Sequence, residues 1–228
     1  MSVLGNVSWT AARVVLAATG PLQRLVDPPG TTHLYLNQQA LYIMRRDGLA
    51  REAAFLEKNL VHLQRGVRWA DTGWKNVAHY LDPRSGRGIT FWPGAAAECE
   101  RYFARAAACW RRGNPARSLF YLGAAAHLVQ DLCVPHHAGA VPFSGHQAFE
   151  KWAGERRFAY RAVHGSYDRA ATPGGWVTAN AREALAYLPQ VLNRLDGESF
   201  HRVAAAMMPL AQATTAGFLA FFLRRVAY

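Results

Sequence analysis

The chain has 228 residues, enough for one domain or at most two small ones, with a sizeable core and no need of disulfide staples. At 51% hydrophobic and 18% charged residues it is not a disordered chain, and no apolar run approaches the roughly 18–20 residues that span a bilayer, so no transmembrane helix is expected. Lys and Arg total 26 against 15 Asp and Glu, a net charge of +11 carried almost wholly by Arg; such a surface attracts the phosphates of anionic lipid or nucleic acid, or simply reflects an Ala- and Arg-rich composition.

Residues 1–29 read as an atypical N-terminal extension or a signal segment. Val14 to Ala18 is apolar, but Arg13 is the only charge before Arg24, so a basic n-region is lacking. Helical spacing then predicts a helix over Leu34 to Arg46, ended by Asp47-Gly48, and a second over Arg51 to Trp69. Gly73 to Gly94 is rich in turn residues and reads as one long ordered loop, a length that in compact domains usually serves function. Glu98 to Arg112 is helical and stops at Gly113-Asn114. Pro115 opens the next helix, which runs to about Cys133 and is ended by Pro135. Ser144 to Val163 is a further helix, Gly165 to Gly175 a link, and Glu183 to Leu195 and Phe200 to Arg225 complete the chain, with a kink expected at Pro209. No strand alternation and no repeat is visible. The expectation is an all-α protein, a single compact multi-helix domain over residues 1–228 that leaves no room for a further domain, and a monomer.

Cys99, Cys109 and Cys133 are odd in number and lack CxxC spacing, so they read as buried thiols rather than a disulfide framework. The histidines and carboxylates are more informative. His127 and Asp131 are four apart on a predicted helix and project from one face, and His146 and Glu150 repeat that spacing on the next helix. His137 lies between the two pairs, just past Pro135. Asp71 and His79 bracket the start of the long loop, and His33 begins an early helix. One His-x3-Asp pair is usually a polar contact. Two pairs on consecutive helices with a His between them, set among Gly123 to Ala126 and Leu128-Val129, suit a metal, because a buried carboxylate needs a counter-charge. His62, His164 and His201 have no partner pattern and read as ordinary polar residues. Phe218, Phe221 and Phe222, followed by Arg224 and Arg225, form either a core stripe or a membrane-touching face.

These segments resemble the bacterial zinc-dependent phospholipases C, of the type of the alpha-toxin catalytic domain. The resemblance runs from about residue 30 onward and is carried by Thr32-His33-Leu34, Ala70-Asp71, His79-Tyr80-Leu81-Asp82-Pro83, Phe120 to Gly123 leading into His127 to Asp131, Pro135-His136-His137-Ala138 and Gly145-His146-x3-Glu150. Fungal single-strand-specific zinc nucleases are distantly similar. The resemblance implies an all-helical fold holding two or three zinc ions. Asp71, His79, His127 and Asp131 would hold one; His137, His146 and Glu150 a second; His33, with Asp131 as a bridge, a third. His136 would be a neighbour of the site rather than a ligand. It also implies hydrolysis of a phosphodiester by metal-activated water with Asp71 as general base, an extracytoplasmic location, and a phospholipid substrate with single-stranded nucleic acid as the alternative. A non-catalytic helical protein that binds zinc or membranes is the third reading.

The family completes the third zinc with an N-terminal Trp about a dozen residues before the early His. Here the only Trp upstream of His33 is Trp9, 24 positions away, so that site is lost or completed by another group. Aromatic residues that hold choline in Bacillus-type enzymes align with Thr72 and Asn76, so a choline preference is not implied. Trp69 and Trp74 lie nearby, either as substitutes or as packing for the loop.

Overall fold

In a computed structural model, residues 31–89, 93–194 and 196–226 are described. The extension over residues 1–29, with Trp9, lies outside them. The described residues are helical with no strand; their one β-type pairing is an isolated antiparallel bridge between Asp82 and Arg87. The helices are α1 (Thr31–Arg46), α2 (Ala50–Lys58), α3 (Leu60–Ala70), α4 (Ala95–Arg111), α5 (Pro115–Asp131), α6 (Pro135–Ala138), α7 (His146–Glu155), α8 (Pro173–Leu185), α9 (Leu188–Val191) and α10 (Gly197–Val226).

α5 is the central element, packed by α3 and α4 and touched by α10. Its sequence explains this: from Leu122 to Asp131 every residue is buried, and a helix apolar all round belongs inside the fold. It starts as the sequence predicts, with Pro115 in the first turn and the Asn114 side chain accepting the Arg117 N–H. Contact with α3 is closest at two glycines. A Cβ on Gly66 would lie 1.8 Å from the Phe120 carbonyl oxygen, and one on Gly123 would lie 2.0 Å from that of Leu63. Only residues without a side chain let the two backbones meet there.

Four expectations are corrected. The helix expected over Arg51 to Trp69 is two helices, because Asn59 leaves helical geometry and its side-chain amide donates to the Phe55 carbonyl at 2.9 Å. The loop from Gly73 opens as a 3₁₀ helix over Gly73–His79, and the Asp82 carboxylate then accepts the Arg84 backbone N–H and its guanidinium to form a local turn. The segment Glu183 to Leu195 is not one helix. α8 begins at Pro173, where Thr172 caps the Gly175 N–H, so Gly174 and Gly175 lie within a helix rather than a link. The helix begun at His146 ends at Glu155, followed by a 3₁₀ turn at Arg157–Ala159.

α10 also corrects the reading of apolar runs. By length and composition it is long and apolar enough to cross a membrane, but 78% of its most apolar window is buried among the other helices. Phe218 and Phe222 are fully enclosed and pack edge-on to Phe103, so the aromatic stripe is core. The helix continues through Pro209. All three cysteines are free and buried, and enclosure pushes the Cys99 thiol well up.

Candidate metal centre

The residues singled out for metal binding come from six separate elements. His33 lies in the first turn of α1, Asp71 at the C-terminal cap of α3, and His79 at the end of the 3₁₀ helix. His127 and Asp131 lie on the buried face of α5, His137 on α6, and His146 and Glu150 on α7. Gly145, in left-handed geometry, turns the chain into α7; a Cβ there would crowd the Arg194 carbonyl oxygen at 3.2 Å.

Their donor atoms converge in three groups, each within 4.8 Å: His33, His127 and Asp131; Asp71, His79 and His127; and His137, His146 and Glu150. The first two share His127. Asp131 joins them: its Oδ1 lies 3.3 Å from His33 Nε2, and its Oδ2 lies 2.8 Å from His79 Nδ1 and 3.0 Å from His127 Nε2. The His33 and His79 rings flank His127, with centroids 4.2 and 4.7 Å away.

In the third group the tautomers follow from backbone contacts. His137 Nδ1–H donates to the His79 carbonyl at 2.8 Å, and His146 Nδ1–H donates to that of Pro142 at 3.4 Å. Both Nε2 atoms then face the same Glu150 oxygen, at 3.3 and 2.9 Å, and in the neutral rings both carry lone pairs. Three acceptors meeting at one point require a shared cation, a proton or a metal.

The electrostatics are those of a concentrated acceptor site. Burial opposes ionisation of Asp131, but His127 and His137 hold it well below the ordinary carboxylate value. Glu150 is likewise depressed, against burial, by His146 and His137. Burial lowers His33 and His79, while His127 is raised, burial being outweighed by Asp131 and Asp71 together. His137 is raised to about 9, because Asp131 and Glu150 outweigh its burial.

Imidazole nitrogen with carboxylate oxygen is a donor set suited to zinc. Two of the converging atoms, His146 Nε2 and Asp131 Oδ2, are buried without an aligned hydrogen bond. Close approach without hydrogen-bond alignment is the arrangement of ligands around an ion, so the residues present fit zinc.

Other residues at the centre carry weaker sequence signals. Tyr80 stacks on His137 with centroids 4.5 Å apart and 19° between planes. Gln130 is buried against His33. His136 is fully buried and stacks on His146. His164 and His201, read as unpartnered, contact the Asp47 carboxylate and the Tyr160 hydroxyl. Those partners lie far away in sequence, so no local spacing marks them. Trp69 packs in the loop region against Tyr102 and Phe120, and the Lys75 ammonium lies 4.8 Å above its ring.

An all-helical frame with three groups of imidazole and carboxylate donors is that of a protein able to hold metal, and the comparisons with known proteins identify the family. The family model for zinc dependent phospholipase C matches residues 32–197, and the chain belongs to that family. It is 29% identical over 155 residues to a phospholipase C of Clostridium perfringens, an alignment covering 57% of this chain and 39% of that protein. The chain therefore spans about two fifths of the length of the curated relatives it matches. In structure it is similar to the alpha toxin of Clostridium absonum, with a TM-score of 0.75, 23% identity, and coverage of 89% of this chain and 65% of the other. The alpha-toxin of a C. perfringens avian strain aligns at a TM-score of 0.72, again with 23% identity, over 88% and 65% of the two chains. These two likenesses establish the shared all-α fold.

Proposed function

We propose that the chain is a zinc-dependent phospholipase C that cleaves phospholipid to diacylglycerol and a phosphorylated head group by attack of water on phosphorus. The observation that carries this reading is the convergence of three donor groups, two joined through His127 and Asp131. Zinc at such groups acidifies water towards neutral pH and neutralises charge on phosphoryl oxygens. Two ions are supported by the sets around Asp71–His79–His127 and His137–His146–Glu150, and the set at His33 supports a third.

Asp71 takes the general-base role. Both oxygens of Asp131 are committed, one to His33 and one to His79 and His127. Asp71 is half-buried at the end of α3, and its oxygen lies beside the His79 and His127 donors. It is the carboxylate of that group with capacity to receive a proton from attacking water.

Nothing among the described residues supports a choline preference. The exposed Thr72 and half-buried Asn76 offer no ring, and the Trp69 face is occupied by the chain's own ammonium at Lys75. The toxin names of the structural neighbours support an extracytoplasmic site of action, with the basic chain acting as a monomer on a membrane surface.

The test is release of phosphorylated head group from vesicles of phosphatidylcholine and of phosphatidylglycerol by zinc-loaded protein, against cleavage of single-stranded DNA. Lipid hydrolysis, with Asp71→Asn at least ~100-fold slower at unchanged zinc content, is expected. DNA cleavage without lipid hydrolysis overturns the substrate, near-normal turnover by Asp71→Asn overturns the base, and inactivity of the zinc-loaded chain on both substrates leaves a binding protein.

A further inference from the structure

The orientation of His33 is decided deep in the interior, by a residue on the last helix. Gln130 is 2% exposed. Its side chain makes three contacts: Oε1 with His33 Nδ1 at 2.9 Å, Nε2 with Asn37 Oδ1 at 2.9 Å, and Nε2 with Thr215 Oγ1 at 3.2 Å. Amide oxygen and nitrogen are distinguished by their partners rather than their shape, and here Thr215 settles which is which. A hydroxyl has one hydrogen, and that of Thr215 goes to the Ala211 carbonyl at 2.6 Å. Towards Gln130, the Thr215 oxygen can only accept. The Gln130 NH₂ therefore faces Thr215 and Asn37, and its carbonyl oxygen faces His33. Because that oxygen only accepts, His33 Nδ1 must carry the proton. His33 Nε2 is left with a lone pair, 3.3 Å from the carboxylate oxygen Asp131 Oδ1. Two acceptors face each other across a gap that a cation reconciles.

We infer that Gln130 and Thr215 are positioning residues that hold His33 in the Nδ1–H tautomer and present its Nε2 as a metal ligand. This rests on the zinc reading. The relay supplies from inside the protein the orientation that His33 needs, since a ligating imidazole is held by whatever its other nitrogen donates to. It also ties α10, which carries none of the converging ligands, to the metal centre.

The experiment is a competitive chelator titration of the zinc-loaded full chain and of three variants, with the His33 ring protons followed by ¹⁵N NMR. Gln130→Met keeps much of the volume and removes the acceptor; it is expected to weaken the most loosely held zinc by about 10–100-fold and leave the other ions in place. Gln130→Glu restores an acceptor to Nδ1–H and is expected to recover most of that affinity. Thr215→Val frees the amide to turn over and is expected to lower the Nδ1–H population at His33. If Gln130→Met does not fold, Thr215→Val carries the test through the same two readouts. Parent-like zinc affinity in a folded Gln130→Met or Thr215→Val chain, or a parent His33 protonated at Nε2, overturns the inference. Zinc uptake by the parent with indifferent variants overturns this assignment alone, whereas failure of the parent to take up zinc overturns the zinc reading as well.

Discussion

His137 is joined to His79, and the chain just beyond His79 is joined back to His137. The His137 ring donates to the His79 carbonyl at 2.8 Å, and two residues beyond His79 the Leu81 N–H donates to the His137 carbonyl at 3.0 Å. The segment after the 3₁₀ helix is thus fastened to α6, and the third donor group is held in register with the second. His137→Ala removes a candidate ligand and half of this fastening together. It is expected to cost more than the ~10–100-fold in metal affinity typical of outer contacts, and to speed amide exchange at Leu81. Elemental analysis and hydrogen exchange on the same sample check this; unchanged protection at Leu81 would contradict the coupling.

The metal-free chain is expected to have a distinct pH profile. His137 rises to about 9 in the folded chain, against burial, through Asp131 and Glu150. A raised folded value stabilises fully below the ordinary 6.5 and is lost as pH climbs through about 9. Glu150 is depressed, so its contribution is present above the ordinary 4.5 and is lost as pH falls below it. Thermal melts of metal-free protein should therefore peak between the two. Zinc must displace the His137 proton, so uptake near pH 7 should release protons and tighten towards pH 9. Calorimetry in buffers of different ionisation enthalpy reads that release.

Sharing of one imidazole by two donor groups has a countable consequence. His127 belongs to both the His33 and the Asp71 groups, whereas His146 belongs only to the third. His127→Ala should lower zinc per chain by about two and His146→Ala by about one. Equal losses would separate the first two groups.

The glycine contact between α3 and α5 should reach the site without touching a ligand. Gly66→Ala places a methyl 1.8 Å from the Phe120 carbonyl oxygen, so the helix backbones must part. Overpacking of this kind costs about 1–3 kcal/mol or more. Because α3 ends at Asp71 and α5 carries His127, zinc affinity is expected to fall along with the melting temperature. A destabilised variant with parent affinity would place the strain elsewhere.

Much of the helical order was legible because helix boundaries here carry strong local chemistry, as at Asn114-Pro115, and because α5 is apolar on every side. Spacing also brought forward the pairs His127–Asp131 and His146–Glu150, since residues four apart on a helix are visible in one dimension, whereas His33, Asp71, His79 and His137 entered as ligands through the family resemblance. What escaped depends on distant partners. Gly174-Gly175 is the exception, because the Thr172 cap and Pro173 that open α8 are local signals. His164 reads as isolated until Asp47, 117 positions earlier, closes on it. The Gln130 amide carries no message without Thr215, which lies 85 positions away.

The converging ligands come from five helices and the 3₁₀ turn, beginning at His33 in the first helix and reaching Glu150 in the seventh, and the His33 orientation is closed only by Thr215 near the chain's end. A nascent or clipped chain lacking α10 would still hold every one of these ligands but not the contact that aims the first of them. The aim of the first ligand is therefore set only once α10 has packed against α1 and α5, so docking of a helix without ligands and completion of the donor set become one folding event.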